Sequence, residues 1–562
     1  MANFFRKIRP FIIFLLISLT VLSPWHFGYY FTLDTVPIAG YYPFRIFVDP
    51  ITLLMKNAAS FVLGEVLAQR LLLMSLLMLL GLGGYYLAHR VTSTKGFIAY
   101  FVGLFAIFNP FVYDRFLDGQ YFVIFGTACF LWTTICLLKY LQHPEAKTAI
   151  AVGILSGLTI AFSPHALFFI ITLLLAFFPA YFPDHRALQL IKGLTIIISI
   201  LILLNINWIT GQLFLNGEKG VFIPVAINKD HFLSFASNPG ANNIYFNILS
   251  LRGYWGEGES RFLPASFFIK HEGGLFLLIF LIVIIGIFYG IQNQKTRKNT
   301  LIISIIAIVA YVLSMGIASP HLGFITQRMY DYIPFYKGLR EPQKWSGILL
   351  TCYLYFSAIG LKNCLEWRFI RTARVFWGIF FIFLPILYTS SMLFGFMGQL
   401  KTIDYPADWY RLREEFLTEG KRSNDSCISK KENVTQKCYD VLALPWHQYM
   451  GYSFVGKVIS NPLEGFFHSV RVIQGDNIEI GNIYTQSIRP ASKIIEKYIG
   501  PGVDRQGIER QNFLNDLTNL GIRYILVAKE VDWEAYNNHL KKNRRLEEIW
   551  DSESFLIYKI VL

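Results

Sequence analysis

The side chains of this sequence that could do chemistry lie in a few short stretches. In GLREPQKW, Arg340, Glu341 and Lys344 stand directly before an apolar run. An arginine and a lysine together suit a phosphate, since the guanidinium grips two oxygens and the ammonium adds a point charge. If the chain is helical from Pro342, Arg340 and Lys344 share a face, with Glu341 between them to orient both. The same cations read equally as snorkelling groups that reach lipid headgroups, with Glu341 as their counterion. In LDTVP, Asp34 is set among aromatics, and Asp49 follows it. A carboxylate in an apolar, partly dry pocket is raised toward working pH and can act as a general base. An ordinary loop aspartate capping a turn fits the same residues. In NPFVYDRFLDGQ, Asp114, Arg115, Asp118 and Gln120 precede a helix that Asp118 could cap. Two SPH tripeptides put His165 and His321 at helix ends, where interfacial packing and ligand binding are both open.

Those residues need elements to hold them, and composition says which. Of 562 residues 54% are hydrophobic, 17% aromatic and only 16% charged, more apolar than one soluble core needs. The expectation is a polytopic α-helical membrane protein. Apolar runs long enough for a hydrocarbon core of roughly 30 Å occur eleven times. They fall near 10–25, 69–88, 97–112, 121–138, 148–162, 166–182, 191–209, 273–291, 300–317, 345–361 and 375–396. The first run follows Arg6, Lys7 and Arg9 but has no small-x-small cleavage site, so it reads as a retained helix. With the N-terminus in the cytoplasm, inner segments carry about sixteen Lys and Arg and the short outer loops about seven, which obeys the positive-inside bias. The C-terminus then lies outside, and Arg115, Arg340 and Lys344 become exceptions to that bias.

Residues 1–396 therefore read as a transmembrane domain with long outer loops at 26–68, 210–272 and 318–344. Residues 397–562 read as an extracytoplasmic α/β domain. YDVLALPW has the pattern of a strand, NFLNDLTNLGIRYILVAKE that of a helix ended by Gly521 and then a buried strand, and the last residues that of a hairpin turning at Asp551 to Ser554. This tail holds 22 basic and 22 acidic residues, so the net charge of +14 belongs wholly to the membrane part. The basic balance is topological, and no nucleic-acid motif accompanies it. Cys427 and Cys438 stand apart from the other cysteines and, in an oxidising exterior, could pair or remain free thiols. Mid-span charges are nearly absent, which disfavours an ion-coupled transporter.

An acid in the first outer loop, NPFVYDRFLDGQ after the third run, SPH between the fifth and sixth, and REPQKW opening a late helix together resemble the GT-C superfamily of membrane glycosyltransferases. More narrowly, the chain is similar to YfhO-like and arabinofuranosyltransferase-like bacterial proteins. The resemblance implies a plasma-membrane enzyme that transfers a sugar from a polyprenyl-phosphate donor to a glycan, lipid or protein acceptor outside the cytoplasm, in cell-envelope assembly. It implies Asp34 as the catalytic acid of the first loop, taking the acceptor's proton as general base, and Arg115, Arg340 and Lys344 as donor-phosphate ligands; from the rim itself, Asp114, Asp118, His165, His321 and Glu341 are candidates to support them. Tyr254 and Trp255 then offer faces on the acceptor side, or plain loop packing. Some relatives bind a divalent metal through a DxD or ExD pair, and no such pair stands in this first loop. A flippase or exporter of lipid-linked sugars, and a noncatalytic scaffold of the same shape, are the rival readings.

Overall fold

The computed structural model describes residues 2–23, 25, 27–37, 62–94, 96–182, 187–214, 229–240, 243–259, 261–266, 272–422, 440–467, 470–480, 483–487, 489–500 and 505–561. Asp49, Cys427 and Cys438 lie outside these residues. The chain divides into two compact units, one of Met1–Trp25, Arg70–Thr210 and Ile227–Leu400, the other of His26–Gln69, Gly211–Ala226 and Lys401–Leu562.

The first unit is helical. Its main helices are α1 (Ala2–Val21), α2 (Glu65–Thr92), α3 (Phe97–Ile107), α4 (Pro110–Asp118), α5 (Tyr121–Gln142), α6 (Ala146–Phe162), α7 (Ala166–Tyr181), α8 (Ala187–Phe214), α9 (Glu272–Gln292), α10 (Gln294–Met315), α11 (Ser346–Cys364) and α12 (Arg374–Tyr388). Among the described residues, six helical segments are long and apolar enough to cross a bilayer, or seven if α12 and Ser390–Met397, bent by 72°, count as one. This falls short of eleven full spans, because several of the apolar runs form shorter helices such as Ala146–Phe162 and Ala166–Tyr181. Large apolar side chains on α8, α9 and α12 face outward, with Leu203, Leu281 and Phe376 each more than half exposed. Surfaces of that kind are what lipid covers. The chain is an integral membrane protein.

Helix α11 is the buried centre of this unit, nearly every side chain from Ser346 to Leu361 being removed from solvent. Its closest neighbour is α9, and two glycines explain why: a Cβ at Gly286 would run into the Phe356 carbonyl, and one at Gly360 into the Ile282 carbonyl. Small residues let two helix backbones touch where lipid supplies no hydrophobic drive for association.

The second unit is built on β1 (Tyr29–Tyr30), β2 (Thr402–Ile403), β3 (Asp440–Leu444), β4 (Tyr449–Tyr452), β5 (Lys457–Ser460), β6 (Arg471–Ile473), β7 (Ile478–Ile480), β8 (Ile483–Thr485), β9 (Ile522–Ala528), β10 (Leu546–Asp551) and β11 (Phe555–Ile560). Its helices include α13 (Ala407–Arg422), α14 (Pro490–Ile499), α15 (Gln511–Asn519) and α16 (Trp533–Leu540). The main sheet runs β10-β11-β9-β3-β6, with β3 parallel to β9 and β6, and β11 antiparallel to β9. Side chains alternate across it. Val441 and Ala443 enter a core with Trp409, Phe466 and Phe467, whereas Leu442 and Leu444 enter another with Ile495, Leu514 and Leu540. Burial on both faces accounts for the unbroken apolar runs of β3 and β9. Gly521, at φ +83°, turns α15 into β9. Strand β1 pairs with β2, joining residues near 30 to residues near 402, and Gln69 bonds both backbone groups of Tyr30 at 3.0 and 2.9 Å.

Candidate functional site

The charged residues of the first unit converge although they are far apart in sequence. Asn109 accepts from the Val112 N–H at 3.1 Å and Pro110 opens α4, so NPFVYDRFLD folds as a short capped helix rather than a loose turn. Arg115 on that helix is 1% exposed, and its Nη1 donates to both Gln120 and Glu341. Gln120 also donates to Glu341, at 3.3 Å, and Lys344 lies 3.4 Å from the other Glu341 oxygen. The Arg115 guanidinium sits 4.7 Å from the Tyr254 ring centroid, while its Nη2 has no partner among the described residues.

Glu341 is 5% exposed, and burial alone would raise its carboxyl. The charges of Lys344, Arg115 and Arg340 outweigh that and hold it well below the usual carboxylate range. His165 carries the opposite consequence. Desolvation first, and then Lys344, push its imidazole well below the ordinary histidine value, so it is neutral beside the cations. Its ring also meets the backbone of Gly338 and lies 3.5 Å from the Ser163 hydroxyl.

Arg340 differs from its neighbours. It is half-buried, lies 4.4 Å from the Phe235 ring centroid, and has no ion pair among the described residues. It does not share a helical face with Lys344. The tight turn Pro342–Trp345 starts only after Glu341, whose φ of −100° and ψ of 86° break the helix between them. Both cations act on Glu341, Lys344 as an ion pair and Arg340 through its charge alone.

A second group of charges adjoins Arg115. Asp114, 5% exposed, feels the charges of Glu257 and Arg252 beside it. Glu257 in turn accepts the Gly253 N–H at 3.1 Å and Asn247 Nδ2 at 3.3 Å. Asp118 is fully buried as the last residue of α4 and adds to the field on Arg115. It does not cap α5, where Gln120 holds the cap position. Nowhere among the described residues do three His, Cys, Asp or Glu groups come together as a metal would require.

Tyr254 and Trp255 are packed rather than open, Tyr254 under Arg115 and Trp255 4.9 Å from Arg261 and 5.2 Å from Phe235. His321 is exposed and stacks on Tyr245 at 6.4 Å, with no contact to the cations among the described residues. Asp34 belongs to the second unit, where it is exposed and accepts the Tyr449 hydroxyl at 3.0 Å. The dry apolar pocket expected around it is not what the structure shows. Phe235, Arg252 and Glu257 escaped the sequence reading, although an acid inside the glycine-rich GYWGEGES was a signal for the last.

No protein-family model matches the chain, and no curated protein matches it by sequence. Solved structures do. The arabinofuranosyltransferase AftD from Mycobacteria aligns over 99% of this chain and 40% of its own, at 13% identity and a TM-score of 0.58. A single-residue mutant of that enzyme aligns over 99% and 42%, at 12% identity and a TM-score of 0.60. The fold is similar to that of the AftD structures. The chain spans about two fifths of the length of the AftD structures it matches. At this distance the likeness is one of fold, and the chemistry has to be argued from the side chains.

Proposed function

We propose that the chain is a glycosyltransferase of the plasma membrane that moves a sugar from a polyprenyl-phosphate donor to a glycan, lipid or protein acceptor outside the cytoplasm. The observation that carries this reading is Arg340, a half-buried cation with no ion pair among the described residues, held beside the Arg115–Glu341–Lys344 cluster. A cation kept partly out of water, whose neighbouring acid Glu341 is already paired with Arg115 and Lys344, suits an anion as ligand, and at a membrane helix end a lipid phosphate is the anion of suitable size. Arg115 Nη2 offers a further donor with no partner among the described residues. Glu341 fixes Arg115 and Lys344 in place, and neutral His165 adds no competing charge. When the glycosidic bond to phosphate breaks, negative charge grows on the departing phosphate, and preorganised donors stabilise it most at that moment. Asp34 is assigned the proton of the acceptor hydroxyl. The test is undecaprenyl-phosphate binding to the purified full-length protein in nanodiscs. Arg340→Ala should weaken it by about tenfold, the scale of one charge-assisted hydrogen bond, and unchanged affinity would remove the phosphate assignment.

A further inference from the structure

Gln343 lies between Glu341 and Lys344 in the turn Pro342–Trp345. It is 2% exposed, and neither its Oε1 nor its Nε2 has a hydrogen-bond partner among the described residues. In a turn of this tightness residues three apart eclipse one another. Glu341 and Lys344 form one side and pair with each other. Pro342 and Trp345 form the next, Pro342 packing where a Cβ on Gly316 would stand and Trp345 donating to the Tyr336 hydroxyl at 3.2 Å. Gln343 occupies the third. An amide buried there with both ends unmade costs about 1–3 kcal/mol for each. Leucine or methionine would fill similar volume without that cost, so folding gives no reason for glutamine.

The amide also says which part of a ligand it suits. Phosphate oxygens accept, and Arg340, Lys344 and Arg115 supply donors for them. Gln343 Oε1 needs a donor, which a phosphate diester or dianion lacks, and its Nε2 needs an acceptor. A hydroxyl group is both. We infer that Gln343 reads hydroxyl groups of the sugar carried on the lipid phosphate and so determines donor-sugar specificity. This rests on the donor-phosphate reading above. A site whose buried amide is satisfied only by the right hydroxyl rejects a sugar lacking it, because the amide is then left unpaired.

The experiment uses the full-length protein in nanodiscs, bare undecaprenyl phosphate, and a panel of undecaprenyl-phosphate monosaccharides including deoxy sugars. Wild type should bind at least one sugar-bearing lipid about tenfold more tightly than the bare lipid, as two buried hydrogen bonds allow. Gln343→Leu should bind the bare lipid within about twofold of wild type, lose the sugar preference, and show an equal or higher ligand-free melting temperature. A retained sugar preference in the variant, or none in wild type, overturns the inference. So does a lower ligand-free melting temperature, which would mark the amide as a structural group satisfied by water. If wild type fails to bind bare undecaprenyl phosphate, the underlying phosphate reading fails first, and that result is distinct from the others.

Discussion

At the residue scale, Glu341 and Asp34 stand in opposite surroundings, as their separate expected roles of orienter and base require. Glu341 is buried among cations and stays ionised, so it organises donors and accepts no proton in the working pH range. Its folded-state value lies below the unfolded one, so its contribution to stability is present above the unfolded value and is lost as pH falls through the folded value. The melting temperature should therefore show no Glu341-dependent drop between pH 7 and roughly 4.5. A drop in that window that disappears in Glu341→Gln would sink the assignment. Removing one partner of a buried pair leaves an uncompensated charge, so Glu341→Gln should cost about 3–5 kcal/mol, read as a lower melting temperature. Asp34 is the opposite case, exposed and touched by the Tyr449 hydroxyl. Asp34→Asn should fold normally and lower sugar transfer in reconstituted vesicles by about 10²- to 10⁴-fold. Undiminished transfer ends its role as a base.

At the scale of elements, two contacts carry testable weight. The α9–α11 approach depends on Gly286 and Gly360, and any side chain at either meets a carbonyl of the partner helix. Gly360→Val should cost about 1–3 kcal/mol through forced separation of the helices, and a wild-type melting temperature would show that the contact is slack. In the second unit His447, after β3, has Glu479 at 3.0 Å on one ring nitrogen and Asp532 at 3.3 Å on the other. Burial would lower the imidazole, but the bonds to Asp532 and Glu479 prevail and raise it to about 9. A raised value stabilises fully below the unfolded histidine range near 6.5 and fades as pH climbs through about 9. The unit should thus lose about 1–3 kcal/mol across that window by hydrogen exchange, and His447→Gln should flatten the profile. An equally steep profile in the variant means that another group titrates. Strand β3 was readable from its apolar run, whereas this tie was not, because Glu479 and Asp532 arrive from distant parts of the chain.

For the whole molecule, the outward apolar faces of α8, α9 and α12 demand lipid, and the charge asymmetry of the loops is the ground on which the C-terminal residues are proposed to lie outside the cytoplasm. With Cys427 and Cys438 replaced by serine, a cysteine at exposed Glu553 should react with a membrane-impermeant maleimide in intact cells. Labelling only after lysis would invert the orientation and remove the extracytoplasmic reading of the site.

Composition and the lengths of apolar runs determined by themselves that this is a helical membrane protein, because the cost of burying unpaired backbone in lipid leaves few other solutions. Local pattern likewise placed β3, β9, the Gly521 turn and the closing hairpin, since each depends on neighbours in sequence. The charges of GLREPQKW were conspicuous for a similar reason, standing beside an apolar helix. Only the tertiary structure decided that Arg115, 226 residues from Glu341, is its partner, that Gln343 is buried with no partner among the described residues, and that Asp34 lies exposed against Tyr449. Those pairings follow from how helices and strands pack, and side-chain packing between distant segments leaves no period or spacing in the chain to read.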